Sequence, residues 1–247
     1  MTERKVALIT GSGTGVGAAT ALMLAQRGYN VVINYSRSQV EAEASQAACQ
    51  QAGAETLLIQ GDVASDADCK MLTQAAIDRW GRIDALVNNA GVSTFTGAAN
   101  WDVLDMETFS RIFAVNSVGA FQMVRACAPH LKAQKGSVVN VSSIAGSLGI
   151  GSSVPYIASK GALNSMTLYL ARALAPDIRV NAVCPGSTLT DFHVGRAQKI
   201  GKSVEQLKTE RKDTSLLGRW ATPEEIAWPI LWMASSEGSF ITGSTLV

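Results

Sequence analysis

Two histidines and four cysteines in 247 residues leave little with which to bind a metal. His130 and His193 stand far apart, no CxxC or HxxxH spacing occurs, and no metal is expected. Cys49, Cys69, Cys127 and Cys184 are also scattered, three of them inside apolar helix or strand patterns, and all four read as reduced thiols packed as small hydrophobes. Charge is scarce: charged residues make up 17% and the net charge is +1, without the bias that nucleic acid or a membrane surface requires. No apolar run approaches membrane-spanning length. Glu3, Arg4 and Lys5 lead directly into the strand-like Val6 to Thr10, which leaves no room for a signal-peptide core, so the default expectation is cytoplasmic. One local shortage carries weight below: between Arg4 and Val40 there is no Asp or Glu.

What the chain does have is alternation. Short apolar runs suited to strands occur at Val6–Ile9, Val31–Tyr35, Thr56–Ile59, Ala85–Asn88, Val138–Val141, Val180–Cys184 and Phe240–Val247. Helical periodicity marks Ala18–Arg27, Val40–Gln51, Asp66–Trp80, Met106–Ala133, Tyr156–Leu174 and Pro223–Ser235. Most of the strand runs are continuously apolar, as in a parallel sheet covered by helices on both faces. The expectation is an α/β, doubly wound Rossmann fold with one seven-stranded parallel sheet, in one domain over 1–247. Residues 186–217 break the rhythm, and a long excursion of that kind predicts a flap over the substrate.

After the first strand comes Thr10, Gly11, Ser12, Gly13, Thr14, Gly15, Val16, Gly17, and then helix-forming residues from Ala18. A glycine loop between strand and helix lets backbone approach a pyrophosphate and aims a helix N-terminus at it. Two registers fit: GxGxxG/A on Gly13, Gly15 and Ala18, or TGxxxGxG on Thr10, Gly11, Gly15 and Gly17. At the end of the second strand, where NAD-selective sites often hold an acid, stand Asn34, Tyr35, Ser36 and Arg37. A guanidinium suits a ribose 2′-phosphate, so NADP(H) is favoured over NAD(H), although a solvated surface Arg37 is the bland alternative.

Tyr156 and Lys160 lie one helical turn apart after Pro155, so both side chains can act on one point. A tyrosine with its ordinary pKa near about 10 is a poor base at neutral pH. A neighbouring ammonium, and further the cation of an oxidised nicotinamide, should lower it and permit proton transfer in both directions. Thirteen positions upstream, at the end of a strand, Ser143 could hold a substrate oxygen; Ser142 competes for that role.

These motifs, together with Asp62–Val63, NNAG at Asn88–Gly91, Asn116, Pro185–Gly186 and the LGRxxxPEEIA segment from Leu217 to Ala227, resemble the short-chain dehydrogenase/reductase (SDR) family over essentially the whole length. The look is nearest to its 3-oxoacyl-carrier-protein reductases. The resemblance implies that Asn116, Ser143, Tyr156 and Lys160 are catalytic. Tyr156 would be general acid and base, Lys160 would hold the nicotinamide ribose, and the Asn116 carbonyl would hold a relay water. It places Gly11, Gly13, Thr14, Gly15, Val16, Gly17, Asn34, Ser36, Arg37, Asp62, Val63, Asn89, Ala90, Gly91, Pro185, Gly186 and either Thr188 or Thr190 along the cofactor. It also implies a homotetramer. A small carbonyl or alcohol substrate would lie among Ser93–Thr96, Ile144–Ile150, Val154 and Phe192–His193. Two alternatives stay open: an NAD-dependent alcohol or sugar dehydrogenase of the same family, and a catalytically silent nucleotide-binding protein. The chain departs from the family in lacking a VDGG-like ending after Ile241, Thr242 and Gly243.

Overall fold

A computed structural model describes residues 4–96, 100–190, 201–211 and 215–247. Seven parallel strands form one sheet in the order β3-β2-β1-β4-β5-β6-β7. They are β1 (Val6–Ile9), β2 (Asn30–Tyr35), β3 (Thr56–Gln60), β4 (Ala85–Asn88), β5 (Ser137–Val141), β6 (Arg179–Val183) and β7 (Thr245–Leu246). The helices are α1 (Gly15–Gln26), α2 (Gln39–Gln51), α3 (Asp66–Trp80), α4 (Met106–Phe113), α5 (Ala120–Gln134), α6 (Ala145–Leu148), α7 (Val154–Leu174), α8 (Val204–Arg211) and α9 (Pro223–Ala234).

The strands are apolar on both faces because both faces are covered. Ala7, Ile9, Val31, Ile33, Val87 and Val139 pack on one side with Leu24 of α1, Ala42 of α2 and Ile230 of α9. Leu8, Val32, Leu86, Val138 and Val180 pack on the other with Leu72 of α3, Leu131 of α5 and Leu170 of α7. Period-two alternation is therefore present in the packing but hidden in the sequence, where hydrophobic residues fall on both faces. The chain winds outward from β1 to β3, then returns to place β4 against β1, with Ala7 beside Ala85 and Ile9 beside Val87. Strand direction of travel reverses there, and a crevice opens above the carboxyl ends of β1 and β4.

Three boundaries differ from expectation. The helix predicted over Met106–Ala133 is interrupted by a π-helical segment at Ala114–Gly119, a feature that no propensity encodes. The last strand is only Thr245–Leu246 rather than Phe240–Val247, because a 3-10 turn at Ser236–Gly238 and a left-handed Gly243 (φ +73°) use up the preceding residues. The short α6 was not anticipated. Of the flap expected at 186–217, residues 191–200 and 212–214 lie outside the described part. The remainder includes α8, whose Leu207 packs on Trp220 and Leu189, and a bridge from Thr188 to Ala221.

The contact of α6 with α7 leaves no room for a side chain at Gly146. A Cβ there would stand 2.5 Å from the Lys160 carbonyl carbon and 2.6 Å from the Gly161 nitrogen. Gly146→Ala should therefore destabilise the fold by roughly 1–3 kcal/mol, the usual cost of overpacking, as read from urea unfolding midpoints. Unchanged stability would contradict so close a packing.

Candidate active site

A cleft of about 540 Å³ lies over the crevice, walled by the glycine loop after β1, by Asn34–Ser38 after β2, by Gly61–Ala64 after β3, by Asn89–Val92 after β4, and by Arg111, Ala114 and Val115. Gly11 (φ +61°) and Gly15 (φ +53°) adopt left-handed backbone. A Cβ on Gly11 would lie 3.0 Å from Ala90 Cα, and one on Gly15 would lie 3.1 Å from a Thr190 methyl. A Cβ on Gly17 would strike the Gly11 carbonyl and the Asn89 amide, while Gly13 faces Ala42 and Ser38 of the α2 end. Gly13 is as close to its neighbours (3.2 Å) but has no left-handed φ, so the left-handed Gly11 and Gly15 and the severe clash at Gly17 fit the TGxxxGxG register, and neither Gly13 nor Gly17 lines the cleft. Helix α1 begins at Gly15, not at Ala18, with Thr14 as an N-cap whose side chain makes no capping bond and with no acid in the first turn. An uncapped N-terminus opening on a cleft, in a cradle that any side chain would fill, fits a pyrophosphate.

The loop is held in place from β4. Asn89 donates from its side-chain amide to the carbonyls of Thr10 (3.0 Å) and Gly11 (2.9 Å), and the Thr10 hydroxyl accepts from the backbone N–H groups of Asn89 and Ala90. Asn34 is buried, accepts from the Gly11 N–H (3.1 Å) and donates to the Gly61 carbonyl (3.0 Å). Its amide is engaged within the protein, which makes it a brace for the loop ends as well as a cleft residue. Ser36 and Arg37 are exposed on the cleft edge, and Arg37 has no ion pair with a described residue. Asp62 accepts from Ala64 N–H (2.9 Å), and Val63 is buried with its carbonyl bonded to Gln122.

The cleft continues into a smaller cavity of about 160 Å³ through the shared residues Val16, Asn89, Gly91 and Thr190, and Ser142, Ser143, Tyr156, Lys160, Pro185, Gly186 and Thr188 complete its wall. Ser143 and Tyr156 line this cavity together, and the Ser143 hydroxyl accepts from the Ala145 N–H (3.1 Å) and donates to the Pro185 carbonyl (3.5 Å). Ser142 is buried and donates to the Lys160 carbonyl (3.2 Å), so the two serines part ways: Ser143 meets Tyr156, and Ser142 braces α7. Thr190 lies against Gly15, whereas Thr188 is buried and bridged to Ala221.

Lys160 is buried, and its ammonium donates to the Val141 carbonyl at 2.8 Å, 5.8 Å from the Tyr156 ring centre. Burial pushes Lys160 down to about 8, an effect that the Cys184 thiol opposes. Burial raises Tyr156 above its ordinary value, against a smaller lowering by Ser143. The expected lowering of Tyr156 by its lysine is therefore corrected: in the protein alone, burial of the phenol dominates and Lys160 is not among the groups that shift it.

Asn116 sits in the π segment, buried. Its side chain is fully engaged, accepting from Val92 N–H (2.8 Å) and donating to Val92 carbonyl (2.9 Å) and Ser159 hydroxyl (3.0 Å). Ser159 passes that contact on to the Tyr156 carbonyl (2.8 Å), a link that sequence reasoning missed although Ser159 stands between the two motif residues. A second missed line joins Asn88, Asn140 and Thr167 under the site, from β4 through β5 to α7. Ser93 is hydrogen-bonded to Ser152, which ties the two loops expected to flank substrate. Phe192 and His193 lie outside the described residues. Among the described residues, no group of His, Cys, Asp and Glu could hold a metal ion, and no helix is long and apolar enough to cross a membrane.

A strand-order reversal, a glycine cradle and a Ser-Tyr-Lys cluster on the same crevice define a dinucleotide-dependent oxidoreductase site. Comparison with known proteins agrees. A family model described as enoyl-(acyl carrier protein) reductase matches residues 11–247. A Streptomyces violaceoruber protein assigned as ketoacyl reductase 2 of the granaticin polyketide synthase is 37% identical, covering 99% of this chain and 94% of its own. L-rhamnose 1-dehydrogenase (NAD(P)(+)) of a Sphingomonas species is 33% identical over 99% of this chain and 94% of its own. A crystal structure assigned as a short-chain dehydrogenase/reductase from Burkholderia xenovorans superposes with a TM-score of 0.89 at 39% identity, covering 100% of this chain and 96% of that one. The chain belongs to the short-chain dehydrogenase/reductase family and is an NAD(P)-dependent enzyme of it.

The lowered Lys160 pKa makes a prediction with a definite sign. Unfolded lysine titrates near about 10.4, so between about pH 8 and that value the unfolded chain keeps a proton that the folded chain has released. Stability contributed at Lys160 should rise with pH across that window, the cost of the buried ammonium being fully present below it. The buried thiols of Cys49, Cys69, Cys127 and Cys184, all raised by desolvation, act in the opposite sense, and comparison with Lys160→Met removes them from the difference. Urea midpoints should show the unaltered protein gaining on the variant between about pH 7 and pH 9.5. A pH-independent difference would exclude the shift.

Proposed function

We propose that the chain interconverts a ketone and a secondary alcohol with NADP(H), using Tyr156 as general acid and base. One observation carries this reading: Ser143, Tyr156 and Lys160 meet in a cavity that continues the glycine-lined cleft. When bound, the nicotinamide supplies the hydride and, in its oxidised form, a positive charge. Ser143 would hold the substrate oxygen beside the phenol, with which it shares the cavity wall. Tyr156 then exchanges a proton with that oxygen. Lys160, next to Gly91, whose added Cβ would stand 3.7 Å from its nitrogen, would hold the nicotinamide ribose. Asn116, fixed by Val92 and Ser159, orients the π-segment carbonyl for a relay water.

NADP(H) is favoured because Arg37 walls the cleft after β2 with no ion pair to a described residue, and no acid occurs between Arg4 and Val40. A 3-oxoacyl group is the first substrate class, supported by the likeness to a ketoacyl reductase, and sugars are the second, supported by the likeness to L-rhamnose 1-dehydrogenase. One domain, 1–247, carries both binding and catalysis in the cytoplasm, where thiols stay reduced. Exposed Val118 in the π segment and Phe121 on α5, and Leu168 and Tyr169 on α7, support pairing of these helices in a homotetramer.

The test is oxidation of NADPH and NADH against 3-oxoacyl thioesters and simple ketones, with the reverse reaction on sugars. Tyr156→Phe should lose at least about 3 kcal/mol of transition-state stabilisation, a hundredfold or more in kcat/KM, while dinucleotide affinity is kept. Near-normal turnover by that variant would refute the assignment of Tyr156.

A further inference from the structure

Resting on the reading of the cleft as a dinucleotide site, a second cation deserves an assignment. Among the described residues, those that wall the larger cleft include three with charged side chains, Arg37, Asp62 and Arg111. The loop Gly11–Gly17 carries no Lys or Arg. An NADP molecule therefore meets strong negative charge of its own with two guanidinium groups and one carboxylate nearby, and the two guanidiniums come from opposite sides. Arg37 follows β2 and Arg111 belongs to α4, which follows β4, and these strands flank β1 on its two sides.

Arg111 is exposed and forms no ion pair with a described residue, even with Glu107 one turn earlier on its own helix. The nearby carboxylate of Asp105 is engaged in capping that helix, accepting from Thr108 N–H at 2.8 Å. Arg111 also walls a side pocket of about 110 Å³ with Val92, Ser93 and Thr94, so its side chain stands at the rim between the two spaces. A guanidinium with five donors and no internal acceptor, placed on the wall of an anion site, is suited to phosphate oxygens.

We propose that Arg111 is a phosphate contact of the dinucleotide, gripping it from the α4 wall while Arg37 serves the β2 wall. The measurement is the dissociation constant of NADP+ and of NAD+, by calorimetric titration, for the unaltered protein, Arg111→Ala, Arg111→Lys and Arg37→Ala. Arg111→Ala should weaken binding about tenfold, the worth of one charge-assisted contact. Arg111→Lys, which keeps the charge without the fork, should recover part of the loss. Equal loss for both dinucleotides places the contact at the diphosphate they share, and loss confined to NADP+ places it at the 2′-phosphate. Either supports the assignment. Arg37→Ala should affect NADP+ alone. Unchanged affinities in Arg111→Ala, with the unaltered protein binding normally, overturn this inference and leave the function standing. Failure of the unaltered protein to bind either dinucleotide overturns both.

Discussion

The whole site depends on the place where β4 returns to pair with β1. Because the chain reverses its direction of travel there, two loops leave the sheet in opposite senses and leave a crevice between them. Left to itself such a crevice would let the loops drift apart. Asn89 prevents this by bonding the carbonyls of Thr10 and Gly11, and Thr10 answers with its hydroxyl on the two following amides of the β4 loop. On the other flank, Asn34 joins the Gly11 N–H to the Gly61 carbonyl. Three loops are thereby fixed by two asparagines, and the α1 N-terminus is presented to the cleft with its first-turn donors uncapped.

The same logic of fixed backbone reaches the chemistry. Gly146 lets α6 touch α7 at the Lys160 carbonyl, Ser142 bonds that same carbonyl, and Asn140 holds Thr167 two turns farther along α7. Helix α7 is thus located by contacts on the backbone and on one buried face, which sets where Tyr156 and Lys160 emerge. Ser159 then ties the turn between them to Asn116. The π segment matters here because its extra residue per turn changes which groups face α7, a rearrangement that an ordinary helix over the same residues would not provide.

Much of this was legible beforehand, for identifiable reasons. Strand positions followed from continuous apolar runs, since a doubly covered sheet needs them, and the glycine loop followed from its position between strand and helix. The choice between the two glycine registers was not legible, because it depends on which Cβ positions are crowded by Ala90, Asn89 and Thr190, residues distant in sequence. Ser142 and Ser143 likewise differ through the backbone after β5, which turns Ser142 toward the Lys160 carbonyl and leaves Ser143 in the cavity with Tyr156. The π segment and the Asn88–Asn140–Thr167 line were hidden because polar residues inside helices and strands carry no signal of their partners. The short last strand was misread because Phe240 and Ile241 look like strand residues, while Gly238 and Gly243 decide the backbone around them.

The electrostatics of Tyr156 and Lys160 run against the simple picture of an ammonium activating a phenol. Burial opposes the charged form of each group, so it lowers the lysine and raises the tyrosine, moving both toward neutrality. With its ammonium bonded to the Val141 carbonyl, Lys160 is oriented more than it is free to polarise the ring. In the proposed reaction a neutral phenol beside Ser143 would be a ready proton donor, which suits reduction of a carbonyl. Operation as a base would draw on further positive charge near the ring, which an oxidised nicotinamide would supply. The protonation state needed for each direction is therefore matched to the redox state that the direction starts from. On the proposed reading the protein's own contribution would be to keep the hydroxyl in place, so that the charge of the bound nucleotide would decide when Tyr156 gives a proton and when it takes one.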